Sequence, residues 1–228
     1  MTPINLLAID TATEQCSVAV LHGQASFETC VPTPRGHADM VLPMVQEIMA
    51  QAGIGIDQLN AIAFGRGPGS FTGVRIAVGV AQGLAYAAEL PLLPVSNLAA
   101  VAQQGAASLP VGAQVLVCMD ARMNEVYTGT FVVNGDGLVA PVAEERVCPP
   151  ERVEADPVRL SLALGTGFRA YPILRERYSG LTVHPDTLPR AAHIAQLAAR
   201  DWHAGLAVRA DLAAPVYLRD QVVHVKTS

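Results

Sequence analysis

Apolar runs and alternating positions in the first half of the chain predict strands that are followed by alternating helices and strands. The segment 4–9 is apolar and ends in Asp10, and the segment 16–21 alternates as a returning strand would. The predicted elements of this half are strands at 4–9, 16–21, 24–31, 61–64 and 92–95 and helices at 38–52, 72–88 and 98–104. Their order indicates an α/β fold with a mixed sheet.

The second half begins with a similar pattern of strand, turn and returning strand. Its first apolar run, 114–119, ends in Asp120, as the first run of the chain ends in Asp10. Further strands are predicted at 125–133, 138–147 and 160–164, helices at 170–177 and 190–204, and an irregular loop or weak helix at 148–157. The likeness favours duplication of one unit and two domains, 1–105 and 106–228, although a common hairpin pattern would produce the same likeness.

Two helices of the first half are apolar on more than one face. Helix 38–52 is apolar around most of its circumference, and helix 72–88 has no charged residue from Ile76 onwards. Small residues recur at every fourth position of the second helix, at Gly73, Ala77, Ala81 and Ala85. Such helices are either buried within their own domain or covered by a partner, and both interpretations are open. The partner interpretation predicts contacts from Met40, Val41, Met44, Val45, Ile48, Ala77, Val78, Ala81 and Ala85.

The segment 65–69, here called the glycine loop, connects a predicted strand to the apolar helix 72–88. Its three glycines and one proline permit a tight turn, and Ser70 or Thr72 can cap the helix that follows. Free backbone N–H groups at a helix N-terminus favour an anion. A phosphate site at this position is therefore geometrically allowed.

The two Asp-terminated strands, with glycine turns at Gly67 and Gly165, resemble the actin, Hsp70 and sugar kinase superfamily, in which phosphates bind between duplicated halves. The resemblance implies a nucleotide site at Asp10, Thr11, Gly67 and Gly69. In that superfamily a glycine follows the first aspartate, so that backbone can approach phosphate, whereas here the turn contains Ala12. Asp10 is therefore also interpreted as a turn residue that satisfies nearby N–H groups.

The composition excludes several classes of protein and partner. Of 228 residues, 51% are hydrophobic and 15% charged, which excludes a disordered chain and predicts self-association through an apolar surface. The net charge of −5 and a single lysine, Lys226, provide no basic footprint for holding nucleic acid without help. Because no Lys or Arg precedes Arg35, we expect no signal peptide and predict a cytoplasmic location. The apolar run 76–88 is too short to span a bilayer, so no membrane segment is expected.

The sequence offers no set of metal ligands. The 4 cysteines lack CxxC spacing, and no two of the 6 histidines stand three or four residues apart. His37 is expected at the surface, just before helix 38–52. Arg66 lies within the glycine loop and Arg75 follows it, and each is interpreted as a phosphate ligand, a partner contact or a solvated charge. No metal and no cofactor are therefore predicted.

Longer motifs resemble the TsaB (YeaZ) family over nearly the whole chain. The most specific motif is AFGRGPGSFTGVRI at 63–76, and it is supported by LAIDTAT at 7–13, PVSNLA at 94–99 and PVYLR at 215–219. The resemblance implies a duplicated RNase H-like fold of the actin, Hsp70 and sugar kinase type. It also implies a role in forming threonylcarbamoyladenosine beside the anticodon of tRNA.

The family resemblance implies partners for the chain. In the family, the related subunit TsaD carries the metal and transfers the threonylcarbamoyl group, TsaB is its inactive relative, and TsaE is the ATPase that joins them. The paired-histidine motif of TsaD is absent around His37. A homodimer of the isolated chain and a complex with TsaD, both through the N-terminal helices, are implied, with tRNA reached indirectly through the complex.

Two hypotheses for the function follow. In the first, the chain is a non-catalytic scaffold that docks and activates TsaD through helices 38–52 and 72–88, and Ala81→Glu abolishes the complex while leaving the fold intact. In the second, the chain is an ATP-binding transferase with its own interdomain active site. A metallopeptidase is disfavoured because histidine ligands are missing.

Overall fold

The computed structural model describes residues 4–219, which form two mixed sheets. The first sheet has the spatial order β3-β2-β1-β4-β5, with antiparallel pairing among β1, β2 and β3 and parallel pairing of β1 with β4 and of β4 with β5. Its strands are β1 (Asn5–Asp10), β2 (Gln15–His22), β3 (Ala25–Pro32), β4 (Ala61–Gly65) and β5 (Leu92–Val95). The five strands predicted for the first half are confirmed.

The second sheet repeats this arrangement. Its order is β11-β10-β6-β7-β8, and β9 also pairs with β7. Its strands are β6 (Gln114–Asp120), β7 (Val126–Val133), β8 (Val139–Pro141), β9 (Arg146–Cys148), β10 (Leu160–Leu164) and β11 (Thr182–His184). The strand order of the first sheet therefore recurs, and the predicted duplicated RNase H-like α/β fold is confirmed.

One predicted strand and one predicted helix are broken. The strand predicted at 138–147 is divided into β8 and β9, because the chain leaves the sheet between them and Glu145 accepts a hydrogen bond from the Ser96 hydroxyl. The helix predicted at 170–177 is divided before Pro172, where Tyr171 has the extended backbone that a following proline favours. The short strand β11 was not predicted.

Among residues 4–219, six α-helices flank the two sheets. They are α1 (His37–Ala52), α2 (Phe71–Ala87), α3 (Asn97–Ala106), α4 (Gly167–Ala170), α5 (Pro172–Arg177) and α6 (Ala191–His203). Ser70 and Ser96 cap α2 and α3, since their hydroxyls accept hydrogen bonds from the N–H groups of Gly73 and Ala99. No helix among residues 4–219 is both long enough and apolar enough to cross a membrane.

The layers stack as helix, sheet, helix, sheet and helix. Alternate residues of each strand point to opposite faces, so Leu7 and Ile9 of β1 contact the α1 and α2 layer while Leu6 and Ala8 face the central layer. The central layer consists of α3 and α6 and is shared by both sheets. The outer face of the second sheet packs against α4 and α5.

The two central helices are exchanged between the sheets. Helix α3 follows the first sheet in the chain but packs on β6, β7, β8 and β10 of the second sheet, and α6 follows the second sheet but packs on β1 to β5 of the first. The backbone N–H of Ala191 at the start of α6 donates to the Ser17 hydroxyl at 3.0 Å, and Gln103 of α3 accepts from Val139 N at 2.9 Å. Each sheet is thus covered on its inner face by a helix from the other half of the chain.

Candidate functional site

A cleft of about 900 Å³ lies between the two sheets. It is lined by the turn after β1, by the glycine loop and the first turn of α2, by the turn after β6, and by residues 216–219. The carboxyl ends of parallel strands meet here, which is the usual position of a ligand site in α/β folds. The interdomain cleft is therefore the candidate ligand-binding site of the fold.

The glycine loop packs directly on the turn after β1. A Cβ atom added to Gly69 would lie 2.6 Å from the Ala12 carbonyl oxygen, and one added to Gly73 would lie 2.1 Å from that of Thr11. Ser70 N also donates to the Ala12 carbonyl at 2.7 Å. Gly69 of the loop and Gly73 of α2 are thus required by the close packing of these segments on the turn after β1, and the packing leaves no gap there for a phosphate.

Asp10 is completely buried behind that turn. Its Oδ1 accepts a hydrogen bond of 2.5 Å from Asn97 Nδ2, while Oδ2 has no hydrogen-bond partner among the described residues. Burial raises the pKa of Asp10 to about 7, and the hydrogen bond from Asn97 opposes that rise. Gly65 leaves room for this pair, since a Cβ atom there would lie 2.3 Å from Asp10 Oδ1.

Asn97 is the functional-site residue that the sequence reasoning missed. The same side chain accepts a hydrogen bond of 2.7 Å from Gly67 N, so it joins Asp10 to the glycine loop while its own exposure is 0%. A polar residue directly after the cap Ser96, at the start of an otherwise apolar helix, was the available signal. Its partner could not be read from the chain because Asp10 lies 87 residues away.

The predicted nucleotide residues are mostly enclosed. Asp10 and Thr11 are buried, and the Thr11 hydroxyl donates to the Gly73 carbonyl at 2.7 Å. Gly67 is also buried and its N–H is used by Asn97, so Gly69 alone of the four lines the cleft. This geometry corrects the expectation that Asp10, Thr11 and Gly67 contact a phosphate. Nucleotide binding by the chain stays a prediction.

The opposite wall of the cleft is the turn after β6. Asp120 accepts hydrogen bonds at its Oδ1 from Arg122 N at 2.9 Å and from the Tyr171 hydroxyl at 3.0 Å. Arg122, Met123 and Asn124 have φ of 60°, 55° and 58°, which is three consecutive left-handed residues without a glycine. Such a backbone costs about 1–2 kcal/mol per residue, so the turn needs support from its surroundings.

His37 is not the surface residue that was predicted. It is buried, and its Nε2 lies 2.9 Å from the Thr13 carbonyl oxygen, which ties the start of α1 to the turn after β1. Val41, one helical turn later, is apolar and fully buried. Within residues 4–219, no three His, Cys, Asp or Glu side chains come together in a way that could hold a metal ion.

The predicted partner contacts face the chain's own core. Eight of the nine pack against the first sheet, and Met40 is half-buried beside them. The buried residues are Val41, Met44, Val45, Ile48, Ala77, Val78, Ala81 and Ala85. This is a correction for these side chains, because the small-residue ridge brings α2 close to its own sheet and leaves no face there for a second protein.

The opposite sides of α1 and α2 are exposed and form what we call the outer helical surface. Leu42 is 46% and Tyr86 82% exposed, and Gly79 and Gly83 are exposed one turn apart on α2. A Cβ atom added to either glycine would meet nothing within 4 Å. Neither helix is wholly enclosed by this chain, so a partner surface on α1 and α2 stays a prediction, but at residues other than those that were predicted.

Comparison with known proteins identifies several relatives of this chain. A tRNA threonylcarbamoyladenosine biosynthesis protein TsaB from Escherichia coli is 42% identical over 98% of both chains, and one from Haemophilus influenzae is 40% identical over 99% of this chain and 98% of its own. The chain belongs to the TsaB family. The solved structure of YeaZ from Pseudomonas aeruginosa matches with a TM-score of 0.85 and 39% identity, over 94% of this chain and 100% of that one.

The chain is also similar to the TsaD family. The family model described as TsaD, tRNA N6-adenosine threonylcarbamoyltransferase, matches residues 30–184, a range that includes both α1 and α2. The predicted likeness to TsaB and its relationship to TsaD are therefore confirmed.

Proposed function

We propose that the chain is a non-catalytic subunit of the complex that forms threonylcarbamoyladenosine next to the tRNA anticodon. In this proposal it docks and activates TsaD through the outer helical surface, TsaE joins that complex, and tRNA is reached through the assembled subunits. The isolated chain uses the same surface to form a homodimer. The names of its relatives support the pathway, and the geometry of α1 and α2 supports the docking role.

The observation that supports docking best is the exposed Gly79 and Gly83 pair on the part of α2 that carries no charged residue, from Ile76 to the end of the helix. Two glycines one turn apart on an outer face allow another helix backbone to approach closely, while Ile76 and Val80 beside them are only half-buried. Leaving such a face in water is costly, and aromatic residues such as Tyr86 are typical anchors of protein interfaces. The surface therefore fits a helical partner.

Similarity to the TsaD family model supports a docking surface on TsaD that is built from equivalent helices. Because the TsaD model matches the segment that contains α1 and α2, TsaD is expected to have equivalent helices in an equivalent position. Two related domains can then pair helix against helix about an approximate two-fold axis, as two copies of this chain would. One surface thus serves both the heterodimer and the homodimer in this proposal.

Gly79→Arg tests the docking surface without disturbing the core. Replacing an exposed helix glycine raises helix propensity by up to about 1 kcal/mol, so the variant should fold, whereas Ala81→Glu would bury a charge at a fully buried position. We expect Gly79→Arg to weaken TsaD binding at least 100-fold in calorimetry and to abolish tRNA modification by the reconstituted proteins.

Gly180→Arg is the matched control. Gly180 is likewise exposed with nothing within 4 Å of an added Cβ atom, but it lies in the second half of the chain. It should bind TsaD and support modification as the wild type does. A folded Gly79→Arg variant that bound TsaD with wild-type affinity would exclude the outer helical surface as the docking site.

The alternative function is an ATP-binding transferase, and the volume of the interdomain cleft is the observation in its favour. Against it, the glycine loop is packed onto the turn after β1 and the Gly67 and Ser70 N–H groups are already used. Titration of the isolated chain with ATP and Mg²⁺ separates the two functions. Saturable micromolar binding that is lost on adding a bulky side chain at the cleft residue Thr72 would favour the transferase.

A further inference from the structure

The segment 213–219, here called the strap, crosses from one wall of the cleft to the other. Gln82 of α2 donates to the Ala213 carbonyl at 3.0 Å, and Val216 N donates to the Arg66 carbonyl at 2.8 Å. Gly67 is required at this crossing, since an added Cβ atom would lie 2.8 Å from the Val216 carbonyl oxygen. The strap is therefore seated on the glycine loop by its backbone.

Tyr217 continues this contact with the first turn of α2. Its ring lies 5.8 Å from that of Phe71, and the Arg75 guanidinium lies 3.3 Å from the Phe71 centroid and 5.1 Å from that of Tyr217. These distances suit aromatic and cation–π attraction. Phe71 is still 56% and Tyr217 44% exposed, so this contact is shallow enough to open without unfolding either domain.

Arg219 reaches the second sheet. Its guanidinium forms an ion pair of 2.5 Å with Glu125 and donates to the Ala121 carbonyl at 3.2 Å, so it holds both ends of the left-handed turn at 122–124. Its Nη1 also lies 3.6 Å from Met123 Sδ. Arg219 thus supplies, from outside the second sheet, the support that this turn needs.

We propose that the strap is a conformational latch across the interdomain cleft, in which Arg219 holds the left-handed turn after β6 against the glycine loop. Opening the latch releases the turn, frees the Phe71 and Arg75 end of α2 and widens access to the cleft. The shared α3 and α6 layer holds the two sheets together in both states. The latch therefore opens without separating the domains.

Amide hydrogen exchange on the full chain tests the latch, with Arg219→Met as the variant. Met keeps much of the aliphatic length and removes the five N–H donors. We expect exchange to rise tenfold or more in two peptides at once, 120–126 on the second sheet and 65–73 at the glycine loop, while β1 and residues 114–119 of β6 stay protected. Simultaneous change on both walls is the signature of a latch.

Arg209→Met is the matched control, because Arg209 is an exposed arginine of the same region whose ion pair, with Asp211, is local. It should exchange as the wild type does at both peptides. A rise at 120–126 alone would overturn the latch and make Arg219 a local brace, and no rise above twofold at either peptide would overturn the role of Arg219 altogether.

Met123→Gly, combined with Arg219→Met, separates turn strain from general damage. Met123 is 66% exposed and has a left-handed backbone that glycine adopts freely. The second substitution should return protection at 120–126 to within threefold of the wild type while 65–73 stays exposed to exchange. Failure to restore 120–126 would contradict the proposed support of the strained turn by Arg219.

Discussion

The Asp10 carboxyl links the folding stability of the chain to pH. Its pKa is raised from 3.8 to about 7 by burial, so the folded chain keeps the proton over an interval in which the unfolded chain loses it. The folded state therefore binds more protons between these two pKa values, and this contribution to stability falls as pH rises through that interval. Above about pH 7 the loss is complete.

Asp10→Asn should remove this dependence, because the amide is neutral at every pH. Between pH 5 and pH 8 we expect the wild type to lose about 2–3 kcal/mol of unfolding free energy relative to the variant. Urea unfolding of both proteins at the two pH values measures the change, and other titrating groups cancel in the comparison. An equal difference at pH 5 and pH 8 would mean that Asp10 titrates outside this range.

Individual residues differ in how far their structural roles could be predicted from the sequence. Ser70 was predicted, with Thr72 as the alternative, to cap the helix after the glycine loop, and this was possible because a cap acts within three residues of its own position. Asp10 was interpreted as a turn residue that satisfies nearby N–H groups, but its hydrogen bond from Asn97 was not predicted, because that pairing depends on two strands and a helix meeting in space. Long-range polar pairs of this kind leave no periodic signal.

At the scale of elements, the two kinds of glycine on α2 should respond in opposite ways to alanine. Gly73→Ala places a methyl group 2.1 Å from the Thr11 carbonyl oxygen and should destabilise the chain by about 2–4 kcal/mol, because helix and turn must move apart. Gly79→Ala meets nothing and should stabilise it by about 0.5–1 kcal/mol through helix propensity. Denaturant unfolding of both variants measures the contrast, and a loss of stability in both would show that the outer glycine is also packed.

The periodicity of α2 was visible in the sequence, but its meaning was not. A ridge of small residues brings any backbone close, and a sheet of the same chain satisfies it as well as a helix of another protein does. Here Ala77, Ala81 and Ala85 pack on the first sheet, which leaves Gly79 and Gly83 as the outward pair. Pattern alone cannot choose between these partners, because both demand the same residue types.

At the scale of the whole molecule, the exchange of α3 and α6 makes each half depend on the other. A fragment of residues 1–113 contains the whole first sheet but lacks α6, so the inner face that includes Leu6 and Leu93 would be uncovered. We expect this fragment to unfold without a cooperative transition and to bind a hydrophobic dye, while the full chain unfolds in one step. Cooperative unfolding of the fragment would show that the first half is an independent domain.

The repeated strand pattern of the two halves was predicted, but the exchange of α3 and α6 between the two sheets was not. Helices 98–104 and 190–204 were placed correctly in the chain, and Ile194, Leu197 and Ala198 of the last helix are buried. Which sheet each face covers depends on the packing of two complete domains. Hydrophobic periodicity reports that a face is buried and says nothing of what buries it.

Because α6 comes late in the chain, the ribosome completes the first sheet well before it makes the helix that covers the inner face of that sheet. At ~5–20 residues per second, the ribosome needs about 5–20 s to proceed from Val95 to Ala191, and during that time the first sheet waits without its inner cover. The nascent chain is then a suitable client for chaperones that shield apolar surfaces. A truncated product that lacks α6 would keep this inner face uncovered and would be prone to aggregation.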